Sequence, residues 1–266
     1  MGIFDLGKRV ARNAWRVPLL GDAIQRDYAR RFFGGHGHYR GVYASFDEAR
    51  KAIPPGETIG FDHAGTAALY RNRMTKAMPS DYGPLFWLHK LLRRDSFVFD
   101  FGGHVGVSYH GWRNYLDYGP ELRWLVYDLP AITRVGVELA AELPSRGLAF
   151  TNSIRDGAGC DVFLTAGAIQ FAERTLSSVL AELGALPSHL VISKVPIYDG
   201  EPFVTVQSAG KSFHPYQIYN RAQFVADLTA LGYRMVDEWE NAEQICIIPF
   251  TKGRDIEAYA GFYFTR

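Results

Sequence analysis

The feature that most constrains this fold is a short apolar segment that ends in an acid and three glycines. It covers residues 97–106 and reads Phe-Val-Phe-Asp-Phe-Gly-Gly-His-Val-Gly. A buried parallel strand is typically a continuous apolar run of this kind. Glycines directly after a strand permit a sharp turn and let the backbone approach a bound molecule closely. We therefore expect a buried strand, a tight turn and then a helix.

A second segment of the same kind lies downstream. Residues 123–128 read Arg-Trp-Leu-Val-Tyr-Asp, so this strand also ends in an acid, Asp128. Ligands of open α/β sheets bind at the carboxyl ends of the strands. A carboxylate in this position can accept hydrogen bonds from both hydroxyls of a ribose. Together, Asp100 and Asp128 predict a site for a nucleoside-containing cofactor at this edge of the sheet.

From residue 96 onward the chain alternates between strand patterns and helix patterns. Repeated strand–helix units predict a parallel sheet with helices on both faces. The last two strands have no helix between them, which indicates one antiparallel strand in the sheet. We predict strands at 96–100, 123–128, 147–151, 161–166, 189–195, 232–239 and 259–265, and helices at 105–117, 131–142, 173–184 and 219–231.

The fold class that this order predicts is α/β, with a Rossmann-like sheet of seven strands that is mostly parallel and has its last strand antiparallel. Residues 1–95 have a mainly helical and irregular pattern. We expect them to form an N-terminal helical cap, and residues 96–266 to form the sheet domain. Within the cap, Ser45 with Glu48 three residues later predicts the start of a helix.

Composition and charge disfavour several classes of protein. The net charge is +1, so the chain has no general field that would attract nucleic acid. Cys160 and Cys246 form no CxxC motif, and they predict neither a disulfide framework nor a zinc site. No apolar run is long enough to span a membrane, and the N-terminus lacks the apolar segment of a signal peptide. We expect a cytoplasmic protein with no transmembrane segment and no metal.

A nicotinamide dinucleotide is one alternative for the cofactor. Its fingerprint is G-x-G-x-x-G, followed by an acid. A frame that ends at Gly103 and Gly106 puts Phe101 in the first glycine position, where its ring would block the tight turn. A frame that starts at Gly102 puts His104 in the second glycine position. The acid at the end of the second strand fits either cofactor.

S-adenosylmethionine fits the same residues better. It has an amino-acid end, a sulfonium and an adenosine, and it has no pyrophosphate. Asp100 suits the ammonium group, the start of the following helix suits the carboxylate, and Asp128 suits the ribose. Both acids also offset the sulfonium charge. The antiparallel ending of the sheet fits proteins that bind S-adenosylmethionine and does not fit the dinucleotide class.

Residues 97–128 resemble motif I and the following acidic strand of class I S-adenosylmethionine-dependent methyltransferases. More specifically, the chain is similar to a bacterial family of predicted methyltransferases associated with surface-polysaccharide gene clusters. The resemblance implies the class I methyltransferase sheet, S-adenosylmethionine as the cofactor, and methyl transfer as the activity. It rests on residues 39–43, 45–49, 100–103, 168–171 and 261–264, and on the strand that ends at Asp128.

The general motif of this class is acid-x-Gly-x-Gly-x-Gly, and His104 stands here at the middle glycine. Gly103 would then provide the close approach to the cofactor. We expect the adenine near residues 152–156, after the third strand, and the methionine portion near residues 168–170, after the fourth. The candidate cofactor-binding residues are Asp100, Gly102, Gly103, Gly106, Asp128, Leu129, Ser153, Ile154, Ala168 and Gln170.

Transfer of a methyl group to a hydroxyl usually needs a base, and histidine is the best match at neutral pH. His214 lies in residues 210–216, which we interpret as a loop after the fifth strand at the cofactor edge. His104 lies in the glycine turn itself, and Tyr216 could hydrogen-bond to the acceptor. These three are the candidate catalytic residues, and a structural role remains an alternative for His104 and His214.

These observations favour an S-adenosylmethionine-dependent methyltransferase that modifies an oxygen, or next a nitrogen, of a small molecule or sugar. The sugar is implied by the resemblance and not by the residues. The alternatives are an NAD(P)-dependent oxidoreductase and a non-catalytic protein that retains the fold. We expect no nucleic-acid partner, and a homodimer through the aromatic-rich cap is left open.

Overall fold

Strands and helices alternate over most of the chain. The structure is a computed structural model that describes residues 21–35, 37–60, 74–210 and 212–266. Within these residues, no helix combines the length and the apolar character needed to cross a bilayer. The strands are β1 (Tyr39–Tyr43), β2 (Phe97–Phe101), β3 (Arg123–Tyr127), β4 (Leu148–Thr151), β5 (Val162–Ala166), β6 (His189–Val195), β7 (Ile197–Tyr198), β8 (Phe203–Ser208), β9 (Phe213–Asn220), β10 (Arg234–Asn241) and β11 (Tyr259–Thr265). The helices are α1 (Gly21–Phe33), α2 (Phe46–Lys51), α3 (Tyr82–Leu91), α4 (Val107–Trp112), α5 (Pro130–Glu142), α6 (Leu176–Glu182) and α7 (Arg221–Ala230), and short 3-10 turns cover Pro79–Asp81, Ile154–Gly157 and Ile169–Phe171.

The main sheet has seven strands in the order β10-β11-β6-β5-β2-β3-β4. Strands β2 to β6 pair in parallel. Strand β11 is inserted between β6 and β10 and runs antiparallel to both. The predicted Rossmann-like fold class, with one antiparallel strand at the end of the chain, is therefore confirmed. Because the parallel strands share one direction, the ends of β2, β3, β5 and β6 lie at the same edge of the sheet.

Strand β2 sends its side chains to the two faces of the sheet in turn. Phe99 and Phe101 belong to the core that α6 and α7 cover. Val98 belongs to the core that α3 and α4 cover. Asp100 lies on this second face, where the indole Nε1 of Trp124 donates a hydrogen bond to it at 3.1 Å. The alternation thus carries a carboxyl group into an otherwise apolar layer, at the point where the strand ends.

A second sheet of four strands has the order β1-β8-β9-β7. Its hairpin, β8 and β9, is inserted between β6 and α7, and β1 from the N-terminal region pairs with β8. The prediction of a loop at residues 210–216 is wrong from Phe213 onward, because β9 begins there. Pro215 has no N–H to donate on the outer edge of β9, where β7 pairs only at Tyr219 and Asn220 and Ile59 bridges only to Phe213. Among the described residues, no strand pairs with Pro215 on that edge. The N-terminal region, expected to be mainly helical, thus also supplies a strand.

Two tryptophans, Trp87 and Trp239, pack helix α3 against the last strands of the main sheet. The indole of Trp239 on β10 lies against Gly83 of α3 and Gly261 of β11, and a Cβ on either glycine would overlap the ring. Trp87 of α3 stacks on Tyr263 with 3.9 Å between the ring centroids. Helix α3 precedes the predicted boundary at residue 95, yet it packs directly on the sheet.

The Trp239 contact predicts a specific non-additive effect on stability. Gly261→Ala should destabilise the protein by about 1–3 kcal/mol, because the added methyl overlaps the indole. In a Trp239→Leu background the same change should cost much less, since the ring atoms that it meets are absent. Urea unfolding of the four variants in this cycle measures the coupling. An equal cost in both backgrounds would contradict the packing described here.

Candidate functional site

A tight turn joins β2 to α4 at the carboxyl edge of the main sheet. Gly102 has φ +72°, a conformation that favours glycine. Its N–H donates to the carbonyl of Tyr127 on β3 at 2.8 Å. A Cβ on Gly102 would overlap the Cβ of Ala168, which follows β5. Gly106 ends the turn as the N-cap of α4. The glycines therefore let the segments after β2 and β5 approach more closely than larger residues would.

The carboxyl group of Asp100 is buried directly behind this turn. Asp100 is 1% exposed, and its Oδ1 accepts no hydrogen bond from a described residue. A Cβ on Gly103 would collide with the carboxyl group, so only glycine lets the turn close over it. Burial raises the pKa of Asp100 from its usual 3.8 to about 7; the Trp124 hydrogen bond opposes this rise, and the charge of Asp128 adds to it.

Asp128 stands on the other side of the turn, after β3. Its Oδ2 accepts a hydrogen bond from the backbone N–H of His104 at 2.9 Å, and its Oδ1 accepts one from the N–H of Leu129 at 2.7 Å. His104 has φ +58°, so it adopts the left-handed conformation expected of the glycine that it replaces. Histidine at this position thus preserves the backbone path of the turn. The structure brings Asp100 and Asp128 to opposite sides of one glycine turn.

A small cavity of about 70 Å³ opens beside Asp100. Lys194 of β6 and Asp81, which precedes α3, meet in its wall, with 2.7 Å between Nζ and Oδ1. Sequence reasoning missed both residues. The only available signal was a lysine near the end of the strand after β5, and nothing in the sequence pairs it with a residue more than a hundred positions away.

Polar residues after β4 occupy the expected adenine side. Asn152 Nδ2 donates to the carbonyl of Asp128 at 2.7 Å, which ties this loop to the neighbouring strand end. Thr151 Oγ1 donates to Asp156 Oδ2 at 2.5 Å and accepts a hydrogen bond from the N–H of Ser153 at 3.0 Å. The predicted residue Ser153 therefore lies in the same loop as Asp156, and Thr151 holds both residues in place by hydrogen bonds.

The remaining predicted cofactor residues differ in where their side chains lie. Ile154 is 4% exposed and belongs to the core under α6 and α7, so only its backbone is available to a ligand. Ala168 packs against the glycine turn. Gln170 is 3% exposed, and its Oε1 accepts no hydrogen bond from a described residue. A Cβ on Gly167 would lie within 4 Å of both Gln170 and Lys194. Ala166, at the end of β5, lines the cavity, so the segment after β5 adjoins it.

The predicted catalytic residues His214 and Tyr216 are buried in β9, whereas we expected them on a loop. His214 is 2% exposed, its Nε2 lies 2.9 Å from Ser212 Oγ, and its ring packs edge-on against Phe171. Tyr216 donates to the hydroxyl of Tyr259 at 2.8 Å. Burial raises the pKa of Tyr216 well above its usual 10.0, so the phenol stays protonated near neutral pH. Tyr216 therefore supports packing, and its protonated phenol cannot act as a base.

A larger cavity of about 330 Å³ lies between the starts of α6 and α7. Phe46, Tyr219 and Phe224 form aromatic parts of its wall. Side chains alternate along a strand, so Tyr219 and His214 lie on opposite faces of β9. The larger cavity is therefore separated from the face that carries the predicted catalytic residues.

Comparisons with known proteins find solved structures that are similar to this chain but no matching family model or curated sequence. No protein-family model matches the chain, and no curated protein sequence matches it. The solved structure of Burkholderia thailandensis 1,6-didemethyltoxoflavin-N1-methyltransferase, which contains 1,6-didemethyltoxoflavin and S-adenosylhomocysteine, is similar at 17% identity and a TM-score of 0.47, over 80% of this chain and 94% of that one.

Two further solved structures are similar at the same level. Streptomyces venezuelae DesVI has 14% identity and a TM-score of 0.46, over 77% of this chain and 99% of that one. Magnesium protoporphyrin IX methyltransferase (ChlM) from Synechocystis PCC 6803, with bound S-adenosylmethionine, has 11% identity and a TM-score of 0.44, over 77% of this chain and 80% of that one.

The buried Asp100 predicts a particular dependence of stability on pH. Because its pKa is about 7 in the folded protein and 3.8 ordinarily, the folded chain holds a proton between these values that the unfolded chain lacks. The contribution of Asp100 to stability should therefore rise as the pH falls through this window, and be lost as the pH rises through 7. Relative to Asp100→Asn, the free energy of unfolding of the wild type should rise by up to about 1.4 kcal/mol per pH unit from pH 7 towards pH 4.

Urea unfolding of both proteins at several pH values measures this difference. Asp117→Asn, which changes an exposed carboxyl group, is the matched control. The difference in the free energy of unfolding between the wild type and this variant should not show the trend expected for Asp100→Asn. A constant difference between the wild type and Asp100→Asn over the window would mean that Asp100 ionises normally.

Proposed function

We propose that this chain is an S-adenosylmethionine-dependent methyltransferase that acts on an oxygen or a nitrogen of a small molecule or sugar. The observation that carries the proposal is the pair of carboxyl groups, Asp100 and Asp128, on either side of a glycine turn at the carboxyl edge of the main sheet. A ligand with a ribose and a cationic amino-acid end complements both groups. S-adenosylmethionine, when bound, supplies a methyl group that its sulfonium activates.

The residues at the turn fit such a ligand. An ammonium group beside Asp100 Oδ1 would give that oxygen a donor and favour the ionised carboxylate, which burial otherwise disfavours. Asp128 is oriented by two backbone N–H groups, and a carboxylate has about four acceptor positions in all. We infer that Asp100 binds the amino-acid end and that Asp128 binds the ribose hydroxyls.

The dinucleotide alternative fits the same turn poorly. Phe101, in the first glycine position of one frame, is 6% exposed, and its ring stacks on Tyr127 with 5.1 Å between the centroids. A backbone approach to a pyrophosphate at this point would need a small residue there. An ionised Asp100 would also repel the phosphate charges.

Asp128→Asn should test the contact with the ribose, and the choice of ligand should separate the two cofactors. The variant loses a charge-assisted acceptor for the ribose hydroxyls, which is worth about 1.5–3 kcal/mol, so the affinity for S-adenosylhomocysteine should fall about 10- to 100-fold. Calorimetry with S-adenosylhomocysteine and NADH on the wild type, Asp128→Asn and the exposed control Asp117→Asn tests this. NADH binding by the wild type, or unchanged binding of S-adenosylhomocysteine by Asp128→Asn, would refute the site.

The acceptor side of the proposal lies on the second sheet. His214 and Tyr216 share one face of β9, and their rings contact Phe171 at centroid distances of 5.8 and 5.0 Å. Tyr39 of the N-terminal region joins this group through the hydroxyl of Tyr259 at 3.0 Å. We infer that residues 1–95 and the β8–β9 hairpin close the acceptor pocket over the remainder of residues 96–266. An enclosed surface with aromatic and a few polar groups suits a small molecule or sugar.

In the proposed reaction, the chain aligns the acceptor and excludes water, an effect worth up to about 7–11 kcal/mol. We propose His214 as the base for a hydroxyl acceptor. The Ser212 hydroxyl, 2.9 Å from its Nε2, restricts the orientation of the ring. The edge of the His214 ring against Phe171 keeps the histidine next to the segment that contacts the glycine turn.

His214→Asn should lower the rate of S-adenosylhomocysteine formation by about 100- to 10,000-fold, because the acceptor would lose its base. The affinity for S-adenosylhomocysteine should change less than about twofold. The assay uses S-adenosylmethionine with a cell extract as the source of the acceptor. His89→Asn, which changes an exposed histidine on α3, is the matched control and should retain turnover.

Each outcome of this assay has a clear meaning. If His214→Asn retains the wild-type rate, His214 is not the base. If the wild type binds S-adenosylhomocysteine but forms none in the extract, the alternative of a non-catalytic protein that retains the fold is favoured.

A further inference from the structure

A largely buried ion pair lies in the wall of the small cavity beside Asp100. Lys194 Nζ donates to Asp81 Oδ1 at 2.7 Å, and the two side chains are only 12% and 9% exposed. The other oxygen of Asp81 accepts a hydrogen bond from the N–H of Met78 at 2.9 Å, which holds the carboxylate in place. An ammonium group has three donors, and Asp81 is the one acceptor for Lys194 Nζ among the described residues. Within the described residues, the ammonium group therefore has two further donors to offer a ligand.

The backbone of β6 is distorted at the residue that supplies this cation. Lys194 has φ +61°, which is uncommon for a residue other than glycine. Between Ile192 and Val195, β6 has one residue more than the facing segment of β11, so the strand contains a β-bulge. Bulges re-aim side chains and are frequent next to functional sites. With its amide oriented to satisfy both contacts, Asn241 accepts from the N–H of Lys194 at 3.3 Å and donates to the carbonyl of Ser80 at 3.2 Å.

The charges in the cavity wall complement a zwitterion. Asp100 presents a carboxyl group whose Oδ1 accepts no hydrogen bond from a described residue. Lys194 presents an ammonium group to the same cavity. A ligand end that bears both an ammonium and a carboxylate would meet an opposite charge at each group. A ligand end with the ammonium alone would leave Lys194 with Asp81 as its one anion among the described residues.

We propose that Lys194 is a specificity-determining residue that binds the carboxylate of the donor's amino-acid end, while Asp81 holds the lysine in position. This inference rests on the proposed function. It makes the protein selective for a donor with a complete α-amino-acid end. A purely structural ion pair, which only fastens the 78–81 turn to β6, would give no such selectivity.

The test compares S-adenosylmethionine with decarboxylated S-adenosylmethionine, which keeps the sulfonium and the ammonium and lacks only the carboxylate. Calorimetry on the wild type should show a preference of about 10- to 100-fold for the complete donor, as expected for one buried charge-assisted contact. In Lys194→Met this preference should fall below about threefold, mainly through weaker binding of the complete donor. Lys51→Met, an exposed lysine on α2, is the matched control and should keep the full preference.

The outcomes separate this inference from the proposed function. A wild type that binds neither donor contradicts the proposed function. A wild type that binds both donors equally, or a Lys194→Met variant that keeps the preference, overturns the role of Lys194 and leaves the proposed function standing. If Lys194→Met fails to fold, the wild-type preference and Lys194→Arg, which should retain it, still decide the question.

Discussion

A carboxyl group that the fold buries at the end of a strand is the constraint on which the rest of the site depends. Asp100 lies in an apolar layer where Trp124 is the one described residue that donates a hydrogen bond to its carboxyl group, and its ionised form is disfavoured there. Its position follows from the alternation of β2, which must send every second side chain to the face under α3 and α4. A cationic group that reaches Asp100 would relieve this unfavourable burial. The site is therefore suited to bind a cation before any residue of the acceptor side is considered.

The backbone of the turn after β2 leaves space for the carboxyl group of Asp100. Gly103 can lie against Asp100 only because it has no side chain, and the same turn directs the backbone N–H of His104 to Asp128. The cavity beside this turn is small, and Lys194 also contributes to its wall. Positive and negative groups thus come from strands β2, β3 and β6, which meet at this edge only because they are parallel.

The sequence predicts the features that depend on local pattern and misses those that depend on distant pairing. The strands of the main sheet are apolar runs bounded by turns, and β6 and β11 have the predicted bounds. The pairing of β1 with β8 joins residues more than a hundred positions apart, so nothing local signals it. Residues 210–216 are interpreted from the sequence as a loop, whereas β9 begins at Phe213 and includes Pro215, where β7 does not pair with it. The sequence does not indicate Lys194, because the β-bulge that contains it is defined only by the pairing of β6 with β11.

The most direct test of the central claim is a crystal structure of the protein with S-adenosylhomocysteine. The account predicts that the ammonium of the ligand lies about 3 Å from Asp100 Oδ1 and that the ribose hydroxyls lie at a similar distance from Asp128. The adenine should then lie beside the loop after β4. Ligand density away from the glycine turn, or an amino-acid end that points away from Asp100, would contradict the account.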